Sequence, residues 1–106
     1  MTGVTDQELS VAAGRVADRL RVVGPRYAAR QAPEAAHTLD RIAGLVQQLA
    51  DLAADAADRP RRPVPRPAAH ALGEQLLVLT GDVLSECDPS GIERARAVLG
   101  EIADIL

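Results

Sequence analysis

The chain contains no lysine, no tryptophan and no phenylalanine, and only one tyrosine and one cysteine among its 106 residues. Each shortage excludes something. With Tyr27 as the sole aromatic, base stacking on single-stranded nucleic acid has almost nothing to work with. The core has to be built from Leu, Val, Ile and Ala. Such small side chains let helix axes approach toward the short end of the ~8–10 Å range. A lone Cys87 cannot staple the fold internally, and a reducing compartment is the simplest expectation. The longest uninterrupted apolar run, Leu76–Leu79, is far too short to span a bilayer. The opening "MTGVTDQELS" has neither the basic nor the apolar region of a signal peptide. A cytoplasmic protein without membrane association is therefore expected.

What is present is arginine, alanine and a helical rhythm. Arginine supplies all 12 basic residues, and with the abundant alanine this points to a GC-rich bacterial genome. Apolar residues recur every three or four positions throughout, and nothing alternates at period two. A first helix is predicted over 5–23: "TDQE" forms a capping box at Thr5 and Glu8, and Leu9, Ala12/Ala13, Val16, Leu20 and Val23 make its seam. Gly24-Pro25 reads as its stop. A short turn over 26–31 follows, then a long helix over 33–58, with Pro33 in its first turn and Ala35/Ala36, Leu39, Ile42, Val46, Leu49, Ala53 and Ala56 on one face. A third helix is expected over 68–86 on the seam Leu72, Leu76, Leu79 and Val83. A fourth is predicted over 90–106; Asp88-Pro89 and Ser90, the latter in a capping box with Glu93, both mark its start, and Ile92, Ala95, Leu99, Ile102 and Leu106 make its seam. The prediction is one all-α domain over 1–106, a four-helix bundle of two helical hairpins joined by a Pro/Arg-rich linker at 59–67.

Chemistry-bearing constellations are sparse. His37 and Asp40, like His70 and Glu74, share a helical face, yet too few inward carboxylates accompany them for a bundle metal site. Cys87 stands near a helix N-terminus, but Glu86 and Asp88 flank it and oppose a lowered thiol pKa. No phosphate-binding glycine loop and no nucleophile elbow occurs. No catalytic residue, metal or cofactor is expected. Small core residues could still leave a ligand pocket near Tyr27, His37 or His70, which is the alternative of a small-molecule-binding or enzymatic bundle.

Charge says more. Ten arginines face six acids between Arg15 and Arg66, whereas from Ala69 onward seven acids face Arg94 and Arg96. Such asymmetry can steer association with a partner or a second copy. The segment "RPRRPVPRPA" admits three readings. Pro60 and Pro63 form a PxxP, but no arginine occupies the flanking position a polyproline ligand needs. Arg59, Arg61, Arg62 and Arg66 could meet phosphates or another anionic partner, but a net charge of −3 and the lack of a basic recognition helix argue against nucleic acid. The third reading, a stiff connector long enough for a crossover or an exchange between subunits, is preferred.

Helix 3 carries a wide apolar arc, Leu76, Leu77, Val78, Leu79 and Leu84, which suggests an interface. The expected function is non-enzymatic: an accessory or regulatory protein that acts through self-association and protein-partner binding, with a homodimer as the assembly. A regulator touching nucleic acid through the linker is the remaining alternative. In size the chain is similar to the small secreted Trp-x-Gly proteins, but the tryptophan of their defining turn is missing, so no family is assigned.

Overall fold

The computed structural model describes residues 3–106 and holds four α-helices: α1 (Asp6–Ala29), α2 (Pro33–Ala56), α3 (Leu72–Glu86) and α4 (Pro89–Ile105). A single 3-10 turn, Ala69–Ala71, leads into α3. No strand occurs among the described residues. The all-α four-helix architecture is as the apolar periodicity predicts, but several boundaries differ for identifiable reasons.

The first difference is at Gly24-Pro25, which does not end α1. Pro25 removes one helical hydrogen bond, yet the helix continues to Ala29 and closes where the Arg30 N–H reaches the carbonyls of Arg26 and Tyr27. Gly24 is not in a left-handed conformation. It is buried, and a Cβ there would lie 2.9 Å from the Ala69 carbonyl oxygen. Close approach of the 3-10 turn, not helix punctuation, explains this glycine. The Thr5 cap forms as expected, its hydroxyl accepting from the Glu8 N–H at 3.1 Å.

The helix α2 begins at Pro33 as predicted but stops at Ala56 in a Schellman motif. The Arg59 N–H bonds the Ala54 carbonyl at 2.8 Å and the Asp58 N–H bonds that of Asp55 at 3.2 Å. Asp58 takes the left-handed position, φ 54°. Of the two start signals at the other junction, Asp88 provides the cap of α4. Its carboxylate accepts from the Gly91 N–H at 3.0 Å and from the Ser90 hydroxyl at 2.7 Å. The Gly91 bond, with Ser90 second, holds the Asp88 carboxyl below its ordinary range.

Residue pairings between helices give the topology. Gly73 abuts the Ala17 carbonyl, and Gly24, farther along α1, abuts Ala69 at the entry to α3, so α1 and α3 run antiparallel. Gly3 meets the Glu93 side chain and Arg19 donates to the Leu106 carbonyl at 2.7 Å, so α1 and α4 run parallel. The chain thus goes up, down, down and up, with one long crossover between α2 and α3. Each helix packs mainly on the opposite pair: α1 on α3 and α4, α2 on α3 and α4. The molecule measures 43 × 30 × 18 Å, two helix layers thick. Between the layers lie Leu9, Leu20, Ile42, Leu49, Leu76, Leu99 and Ile102, all fully buried. On α3 the seam runs Leu72, Leu76, Thr80 and Val83. Thr80, which apolar periodicity passes over, is buried because its hydroxyl donates to the Leu76 carbonyl at 2.8 Å. Leu79 is only half-buried.

Candidate functional site

The linker turns back along α2 in three steps. At the first, Arg61 grips Asp55 with both nitrogens, at 2.9 and 2.6 Å, and lies 4.0 Å from Asp51. The Arg61 hydrogen bond holds the Asp55 carboxyl below its usual range, and the arginine is correspondingly harder to deprotonate. Two turns toward the helix start, the Gln47 side chain donates to the Arg62 carbonyl at 2.9 Å and accepts from the Val64 N–H at 2.8 Å. Farther back, Arg66 meets Asp40 at 2.5 Å. From the other side Gln75 of α3 donates to the Pro65 carbonyl at 2.6 Å. Two of the four linker arginines are thus engaged within the chain. Arg59 and Arg62 make no ion pair among the described residues and border a depression of about 310 Å³ with Pro60, Val64, Leu79 and Asp82.

The proposed arc on α3 is mostly internal. Leu76 is fully buried, and Leu77, Leu79 and Leu84 are half-buried against the core, because α3 is packed between α1 and α2. Only Val78 is freely exposed. Leu76 therefore belongs to the core and is not an interface residue. Tyr27 is half-buried against the core, with the Arg30 guanidinium 5.4 Å from its ring centre. His37 and His70 are exposed on different elements. None of these three lines any of the four main depressions. Cys87 donates to the Leu52 carbonyl at 3.5 Å, and burial, then Asp88 and Glu86, push its thiol pKa up. Among the described residues no three His, Cys, Asp or Glu side chains gather as metal ligands. No helix there is long and apolar enough to cross a membrane.

The largest depression lies elsewhere, in the seam between the parallel helices α1 and α4. It is an open groove of about 660 Å³. Val16 and Leu99, both buried, form its floor with Ala12 and Ala103; Val11 stands on its edge, 47% exposed. Arg15 and Arg96 border it from the two helices, and Glu8 stands one helical segment before Arg15. Neither arginine has a carboxylate partner among the described residues. An apolar floor with unpaired guanidinium groups at its rim suits an amphipathic, partly acidic partner. The sequence points to this place only through Val11, an apolar residue off the seam of α1. That α4 rather than α2 flanks it requires knowing the topology.

No protein-family model matches the chain, and no curated protein or solved structure matches it.

Proposed function

We propose that the protein is a small non-enzymatic helical module, cytoplasmic and accessory or regulatory in role, that acts by self-association and by binding a protein partner. The observation that carries this reading is the α1–α4 groove, where an exposed valine and two unpaired arginines surround an apolar floor. It replaces the α3 arc as the docking surface. Binding there would bury apolar area while giving both guanidinium groups acidic partners, the combination that favours a specific interface over a solvated face. Light scattering after gel filtration tests it: a species heavier than one chain is expected, weakened by Arg15→Glu. A strictly monomeric wild type at micromolar concentration removes the self-association.

A second reading draws on the groove's volume, which lies within the roughly 300–1,000 Å³ of small-molecule pockets. An amphipathic carboxylate would lay its apolar body over Val16 and Leu99 and its head between Arg15 and Arg96. A thermal-shift series with medium-chain fatty acids separates the two: stabilisation lost in Arg96→Glu supports the ligand, and an unchanged midpoint removes it.

A further inference from the structure

We infer that two copies of the chain pair through α1, laid antiparallel about a two-fold axis between Val11 and Ala12; the inference rests on the self-association proposed above. Glu8, Val11, Ala12 and Arg15 follow the i, i+3, i+4, i+7 spacing and form one face of α1 at the groove. Their charges are arranged as a palindrome. Residues 8 and 15 are equidistant from the midpoint of 11 and 12, each about 5 Å along the axis at ~1.5 Å per residue. Reversing the helix about that point sets Glu8 against Arg15 of the second copy, and Arg15 against its Glu8. Neither side chain has an ion-pair partner among the described residues of its own chain.

The neighbouring helix adds a guanidinium beside this face. The pairings of Gly3 with Glu93 and of Arg19 with Leu106 set α4 in step with α1. Arg96 then stands level with Glu8, and Ala103, seven residues on, level with Arg15; both line the groove and are exposed. At each level the Glu8 of one copy lies against the Arg15 of the other. A two-fold interface must be self-complementary in this way, since whatever residue i contacts on the partner is contacted back. At the centre, each half-exposed Val11 meets the apolar groove beside its counterpart. Asp40, Asp55, Arg61 and Arg66, by contrast, are paired within the chain, and Arg19, the next arginine along this face, donates to the Leu106 carbonyl.

Sedimentation equilibrium over a micromolar concentration series tests the pairing. The wild type is expected to dimerise, and Arg15→Glu or Glu8→Arg alone should raise the dissociation constant about tenfold or more, because each makes both symmetric contacts repulsive. The double variant Glu8→Arg/Arg15→Glu should restore it, which a folding defect would not allow. In a Cys87→Ser background, oxidation should link Val11→Cys across the axis but not Val22→Cys or Val78→Cys, the other exposed valines. A wild-type dimer indifferent to both single reversals, or linked only through Val78→Cys, overturns the α1 contact and leaves self-association standing. A wild type that stays monomeric overturns both.

Discussion

Two backbone positions of similar appearance in sequence carry opposite energetic signs. Asp58 closes the Schellman motif of α2 with φ 54°, a conformation that costs a side-chain-bearing residue about 1 kcal/mol and glycine almost nothing. Gly73 is the reverse case: a Cβ there would come within 2.7 Å of the Ala17 carbonyl oxygen, backbone that cannot swing aside. Asp58→Gly should therefore raise the urea midpoint by roughly 0.5–1 kcal/mol of stability. Gly73→Ala should lower stability by about 1–3 kcal/mol through overpacking at the α1–α3 contact. Equal effects of the same sign would contradict both assignments. The Thr5 cap was legible from a four-residue pattern because capping is local. Asp58 was not, since nothing in "AADRP" distinguishes an aspartate that continues a helix from one that reverses it.

At the scale of elements, the linker behaves as a strap laid along α2. The arginines looked like a ligand because their partners lie at a distance in sequence: 6 residues for Arg61 with Asp55, 26 for Arg66 with Asp40. Exposed pairs of this kind contribute little singly. The stronger fastening is Gln47, whose amide satisfies the Arg62 carbonyl and the Val64 N–H together. Removing it strands a half-buried N–H and should cost about 1–2 kcal/mol. Proline follows Arg59, Arg62 and Arg66, which leaves Arg61–Arg62 as the one arginyl bond in the segment open to trypsin. Gln47→Ala should accelerate cleavage at that bond, read by mass spectrometry, while Gln48→Ala, one residue along the same helix, should not. The same scale explains the extended α1. Gly-Pro is a strong local stop signal, but contact between Gly24 and the 3-10 turn, with Tyr27 packed on the core, outweighs it.

In the whole molecule the two helix pairs are layers stacked face to face, and each layer finds most of its packing in the other. The periodicity of apolar residues made four helices and their inner faces legible: most predicted seam residues are buried, while Ala36 and Ala56 of α2 are exposed. Which faces meet was not, because α1 with α4 and α1 with α3 are both compatible with the same stripes. The groove between α1 and α4 follows from that choice, whereas the burial of Leu76 already follows from its place on the seam of α3. A consequence can be measured with the chain cut in the linker. Fragments 1–61 and 62–106 should each be largely unfolded alone by circular dichroism, and should regain helicity on mixing. A fragment fully helical by itself would contradict the interleaved core.

The stacking of the pairs also bears on the order in which the protein is made. Residues of α4, which leaves a ribosome after the other three helices, cover both α1 and α2 and include Ile92, Leu99 and Ile102 of the core. Until they emerge, the nascent chain displays Leu9, Leu20, Ile42 and Leu49 with only part of their cover. Completion of the core thus waits for α4, which gives the growing chain a stretch of time in which holding factors, and not its own helices, keep it from aggregation.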